Sequence, residues 1–274
     1  MTSSTAAPER SGRALRRYLA DSAALTGRSL RSIPRVPERL LDVTIQPIVF
    51  ILLFLYVFGS AIHVQGISYK DYLFPGIIAQ SLAFGVIGAG VATSNDMNEG
   101  VVDRFRSMPI SRLSIITGQV MGQFCEAILG MVIVVVFGLL MGWNPHLTLA
   151  HGIELFALMI LGVFAFTWAG VLAGMLVRSP DAMQGAGFII VFPLSFMAGT
   201  FVPIAGMDAV PRAIAEWDPI SALVASVRGL TQGVHSGGSW QLEHPEIAMA
   251  LWCVLILAVS MPLALRRFNR TLSS

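Results

Sequence analysis

Gln119, Gln123 and Glu126 stand at i, i+4 and i+7 in an otherwise apolar run, with Arg112 one heptad before them. In a helix this spacing draws one polar stripe along one face. An ionised group at the centre of a bilayer costs at least about 2.5–3.5 kcal/mol, so such a stripe must face a cavity or a polar partner. Two readings follow: the stripe lines a cavity or gate, or it is buried against an arginine or asparagine of a neighbouring helix. The sixteen residues after Glu126 cover only about 24 Å at 1.5 Å per residue. Glu126 therefore lies in the third of the span nearest its start.

Other chemistry is missing. No GxxxxGK[ST] motif occurs, and the sole lysine, Lys70, precedes an aspartate, so no P-loop can cradle a nucleotide. HExxH, CxxC and GxSxG are absent as well. The histidines (His63, His146, His151, His235, His244) have no metal-ligand spacing, and Cys125 and Cys253 sit in apolar stretches as small packers. No catalytic or metal-binding residue is assigned. Chemical energy, if used, must come from another subunit.

The densest charge between apolar runs is at 94–114, SNDMNEGVVDRFRSMPISRLS. Asn95 or Asp96 can cap a short helix with Glu99 in its first turn. Val101, Val102, Phe105 and Met108 form an apolar stripe beside Arg104 and Arg106, and Pro109 ends it. That face suits docking into a partner's groove; a solvated turn is the alternative.

The elements that carry these residues follow from composition. Of 274 residues, 55% are apolar and only 12% charged, with mean hydropathy +0.72. Globular domains carry roughly 25% charged residues, so the composition excludes an ordinary soluble domain, a disulfide scaffold and a nucleic-acid binder. Apolar windows near the roughly 20 residues needed to cross a bilayer predict an all-α polytopic membrane protein with six spans: 43–62, 72–93, 115–141, 153–177, 182–202 and 246–265. Runs such as IVFILLFLYVF (48–58) lack the alternation of a β-barrel. Residues 1–9 read as a disordered tail, and no cleavable signal peptide is evident. Residues 10–36 read as an Arg-rich amphipathic helix in the headgroup plane, ended by Pro34 and Pro37. Residues 37–265 form the six-span domain and 266–274 a basic tail. Between spans five and six, 203–245 holds two short helices expected to lie exposed at the outer headgroup level, with Trp217 and Trp240 as anchors.

Fifteen of the eighteen basic residues fall on one side of this arrangement: the N-terminal segment, the second and fourth connections and the tail. Only Lys70, Arg212 and Arg228 fall on the other. Positive residues stay in the cytoplasm, so both termini are predicted there, in a multi-pass protein of the cell membrane.

Several segments carry a family resemblance. EGVVDRFRSMP (99–109), RSPDAM (178–183), FPLSFMAGTFVP (192–203) and DPISALVASVRGL (218–230), with six spans and a basic helix before the first, resemble permease subunits of type-2 ABC exporters. They are similar in particular to the daunorubicin/doxorubicin-resistance branch of actinobacteria. The resemblance implies a half-transporter: two copies of the chain with two ATPase subunits, which hold the ATP and magnesium, so that this chain carries no cofactor. The 94–110 helix would be the coupling helix. Glu99, Gly100, Asp103, Arg104, Phe105, Arg106 and Pro109 would dock the ATPase, while Gln119, Gln123 and Glu126 would line the pathway. The implied cargo is hydrophobic or amphipathic, an antibiotic or a lipid. Alternatives are export of a lipid or glycan envelope precursor, or a stand-alone ion-coupled carrier or channel, which would need more charge at mid-membrane.

Overall fold

The computed structural model describes residues 37–62, 64, 66–99, 112–234 and 237–271. The expected tail (1–9), the amphipathic helix (10–36) and residues 100–111 lie outside the described residues. Within them every regular element is helical. Helix α1 (Pro37–Leu52) passes directly into a π-helical turn (Leu53–Phe58). Four long helices follow: α2 (Tyr69–Asn98), α3 (Arg112–Leu140), α4 (Leu149–Leu176) and α5 (Pro180–Met197). Short helices α6 (Ala209–Ala215), α7 (Pro219–Gln232) and α8 (Trp240–Glu243) lead to the last, α9 (Pro245–Thr271).

Side chains at the starts of the helices explain where they begin. The Ser68 hydroxyl accepts from the Asp71 N–H and donates to the Asp71 carboxylate, closing the first turn of α2. Thr148 caps α4 through His151 N–H, and Ser179 caps α5 through Ala182 N–H. Pro180 occupies the first helical position, where its missing N–H has no cost. The RSPDAM stretch thus holds the end of the short bend between α4 and α5 (Arg178 and Ser179) and the first turn of α5 (Pro180–Met183).

Among the described residues, four helices are long and apolar enough to cross a membrane: Tyr69–Asn98, Ile116–Leu140, Leu149–Leu176 and Pro245–Phe268. They fall on the expected second, third, fourth and sixth spans. The expected first and fifth fall on shorter elements, the apolar stretch Ile45–Phe58 and the 18 residues of α5. Leu140, Phe156, Ile189 and Val254 are each at least 60% exposed, a surface that only lipid or another apolar partner can cover. The protein is an integral membrane protein.

At the centre lies α2, buried from Tyr72 to Gln80 and intermittently beyond. It meets α4 backbone to backbone. A Cβ on Gly170 would stand 2.3 Å from the Val86 carbonyl oxygen, and one on Gly174 2.2 Å from that of Gly90. Without a hydrophobic force between helices in lipid, such small-residue contact is what holds them.

The connection between α5 and α9 differs from the expectation of exposed loop helices. α6 is largely exposed, as are Trp217 and Trp240, but α7 is buried from Ile220 to Thr231. It packs against α2, α4, α5 and α9. The reason is its run of small residues (Ser221, Ala222, Ala225, Ser226, Gly229), which lets neighbours close around it. Arg228 does not prevent this. Its Nη2 donates to the Tyr72 carbonyl (3.0 Å) and the Gly199 carbonyl (2.9 Å), and its guanidinium lies 3.6 Å from the Tyr72 ring centroid.

Candidate functional site

A cavity of about 540 Å³ opens between α1, α2, α3 and α5. Each of these helices contributes an amide: Gln46 from α1, Gln80 and Asn95 from α2, Gln123 from α3 and Gln184 from α5. Glu126 adds a carboxylate, and Phe50, Phe84 and Phe188 supply aromatic walls. A concave site of this size, with convergent polar groups set against apolar and aromatic walls, fits a drug-sized amphipathic ligand. The amides donate and accept, so they can meet varied polar groups without matching one charge.

The stripe read from the sequence divides between two roles. Gln123 and Glu126 line the cavity, both half-buried. Gln119 turns to α2, where its Nε2 donates to Asp96 Oδ2 (2.8 Å) and to Thr93 Oγ1 (3.4 Å). It clasps together the two helices that enter and leave the 100–111 segment. Of the expected docking residues only Glu99 is described, exposed, just past the end of α2, its N–H bonded to the Asn95 carbonyl (2.9 Å). Gly100, Asp103, Arg104, Phe105, Arg106 and Pro109 lie outside the described residues. No cluster able to hold a metal ion occurs among the described residues.

Taken one helix at a time, Gln46 reads as an inner-interface residue and Gln80 and Gln184 as single polar positions that join helices, and none of the three reads as a site residue. Gln80 does join helices, donating to Ser195 Oγ at 3.1 Å, yet it also faces the cavity. The available signal was one amide in each of several apolar runs. Its meaning appears only when the helices meet.

In the connection after α5, Asp218 caps α7 by accepting from Ile220 N–H at 3.0 Å. Burial raises its carboxyl to about 7. Gln241 donates to the Asp218 carbonyl (2.8 Å) and receives Trp252 Nε1–H (2.9 Å), tying α7 to α9.

A helical membrane chain with a ligand-sized cavity among its helices, and no nucleotide motif of its own, has the architecture of a permease. The chain belongs to the ABC-2 type transporter family, whose model matches residues 22–231. This agrees with the resemblance read from the sequence. It is 27% identical to the daunorubicin resistance ABC transporter permease protein DrrB1 of Streptomyces coeruleorubidus, over 92% of this chain and 88% of that one. It is also 27% identical to the doxorubicin resistance ABC transporter permease protein DrrB of Mycobacterium tuberculosis, over 72% of this chain and 69% of the relative. Similarity extends to the putative transport permease ycf38 of Porphyra purpurea, 24% identical over 83% and 78% of the two chains.

Proposed function

We propose that this chain is the membrane subunit of an ATP-driven exporter that moves hydrophobic or amphipathic compounds, drug-like or lipid, out of the cell. The observation that carries the reading is the cavity in which Gln46, Gln80, Asn95, Gln123, Gln184 and Glu126 converge against phenylalanine walls. The drug-resistance names of its relatives support the choice of cargo. In this reading α1 with its π turn and α5 also cross the membrane, making six spans. Both termini face the cytoplasm, as the arginine distribution favours.

Two copies form the pathway, and two ATPase subunits bind at Glu99–Pro109. ATP closes the ATPase pair and displaces that segment, and the α2–α3 hairpin follows. Nucleotide can shift the transporter between states only through contacts that differ between them, and this segment supplies those contacts.

The test pairs the chain with its ATPase in inside-out vesicles and follows ATP-dependent daunorubicin uptake. Gln123→Leu with Glu126→Leu should reduce uptake about tenfold or more, as expected when a site loses two of its converging polar groups, one of them its carboxylate. Unchanged uptake at equal membrane levels would overturn the assignment of the cavity, and uptake without any ATPase would overturn the coupling.

A further inference from the structure

Directly beyond the cavity, towards the end of the bundle that carries α6–α8, the space is filled by phenyl rings. On α5, Phe188, Phe192 and Phe196 follow at i, i+4 and i+8, with ring centroids 4.9 and 4.6 Å apart. Phe50 on α1 and Phe54 in the π turn lie 6.2 Å apart, and Phe58 stacks on Phe54 at 5.2 Å within that turn. Phe201, only 1% exposed, joins the two rows. Its ring is 3.9 Å from Phe54, 4.6 Å from Phe196 and 5.7 Å from Phe50. Phe50 and Phe188 also line the cavity, so the column begins where the cavity stops.

Phe201 sits on the turn that ends α5, and that turn is held from outside the column. Gly199 adopts φ +71°, a conformation that favours glycine. Its carbonyl accepts from the Tyr72 hydroxyl (2.7 Å) and from Arg228 Nη2 (2.9 Å). The Phe201 carbonyl accepts from the Tyr69 hydroxyl at 3.3 Å. Gly76 lets the turn approach α2, since a Cβ there would stand 2.5 Å from the Thr200 carbonyl oxygen. Every one of these anchors belongs to α2 or α7.

We infer that Phe54, Phe196 and Phe201 form the outward gate of the cavity, and that Tyr72 and Arg228 are the positioning residues that hold it shut. This rests on the reading of the cavity as the cargo route. Rings packed this closely obstruct the way out of the cavity, yet they are joined only by dispersion and can part without breaking a hydrogen bond. The latch is different: it is polar and directional, with Tyr72 mounted on α2 and Arg228 on α7. Tyr72 lies near one end of that 30-residue helix and Glu99 just past the other. At 1.5 Å per residue the two are about 40 Å apart on one continuous helix, with Pro75 less than a turn beyond Tyr72. A tilt of α2 that moves Glu99 therefore also moves the Tyr72 hydroxyl away from Gly199. The column opens when its anchor leaves. A flat aromatic cargo can then pass by replacing ring–ring contacts with its own.

The test is sided thiol labelling. In a Cys125→Ala, Cys253→Ala background, Ser81→Cys places one thiol in the cavity wall. The assembled transporter, in right-side-out and inside-out vesicles, is exposed to a membrane-impermeant methanethiosulfonate without nucleotide. The thiol should label from the cytoplasmic side alone. Phe201→Ala should raise outside labelling about tenfold or more, because removing a large buried ring leaves a void that cannot fully collapse. Phe201→Leu, which keeps most of the bulk, should stay near wild type. Tyr72→Phe loses one hydrogen bond to the turn and should raise outside labelling about fivefold. Outside labelling of the unmodified gate, or no increase in Phe201→Ala despite normal inside labelling, would overturn the gate while leaving the cavity as the route. A thiol that labels from neither side in any variant would overturn both readings.

Discussion

Gly174→Ala tests the packing that holds α2 in place. The new methyl carbon would stand 2.2 Å from the Gly90 carbonyl oxygen and 2.9 Å from both Gly90 C and Thr93 Cβ. Non-bonded heavy atoms settle at about 3.5 Å, so α4 must move off α2 by about 1 Å. Overpacking of this kind costs about 3 kcal/mol, the upper part of the usual range, because the obstacle is backbone and cannot rotate away. At roughly 2–4 °C per kcal/mol for a chain of this size, the apparent melting temperature should fall by about 6–12 °C. The assay is heating of detergent-solubilised protein followed by size-exclusion of what remains monodisperse. Gly185→Ala is the control: nothing lies within 4 Å of its Cβ, so it should melt with wild type or slightly above. Gly170→Ala meets the Val86 carbonyl at 2.3 Å and should behave like Gly174→Ala. The double variant should lose less than the sum, because a helix already displaced by one methyl has room for the second. If Gly174→Ala melts with Gly185→Ala, the α2–α4 contact is looser than described and the reasoning fails.

Arg104→Ala with Phe105→Ala should abolish export and weaken co-purification of the ATPase, with membrane insertion unaffected; unchanged transport would refute the docking assignment. Gln119→Leu removes the bond to Asp96, an interaction of about 1.5–3 kcal/mol when one partner is charged, and should lower the transport achieved per ATP hydrolysed. A ratio equal to wild type would show that the hairpin needs no clasp. Asp218 sets a pH dependence. Its carboxyl is raised to about 7 in the fold, against about 3.9 in an unfolded chain. The folded state therefore binds the proton more tightly. The stability this group contributes is full below about pH 3.9, declines as pH rises to about 7 and is absent above it. Asp218→Asn keeps the capping acceptor but does not titrate, so its melting temperature should lack the decline between about pH 5 and 7 that wild type shows. Parallel curves would refute the role of burial.

Much of the fold was legible because hydrocarbon imposes a simple rule. Apolar runs of sufficient length must become helices, and α2, α3, α4 and α9 stand where their runs predicted. The site was legible only in part. Gln123 and Glu126 announced themselves as polar residues sharing one helix face. Gln119 continues that face but ends against Asp96, since the angle between α2 and α3 decides which stripe members reach the cavity. Gln46, Gln80 and Gln184 come from separate helices, and their convergence is a property of packing that no single run encodes. α7 misled for a related reason. A lone arginine reads as a solvent-facing loop residue, whereas carbonyls of Tyr72 and Gly199 and the Tyr72 ring absorb its charge. The spacing of Phe188, Phe192 and Phe196 was visible in the sequence, but phenylalanine is ordinary in a membrane span and only its opposite row on α1 gives it meaning.

The wrapping of α7 dictates an order of events during synthesis. Its neighbours α2, α4 and α5 leave the ribosome before it, but α9, which covers its remaining side, comes last. Until Pro245–Thr271 has emerged, one flank of α7 is uncovered and Asp218 lacks the Gln241–Trp252 brace. The nascent chain therefore cannot finish the core around α7 span by span. A stop codon between the end of α7 and the start of α9 would leave the Arg228-bearing helix incompletely enclosed.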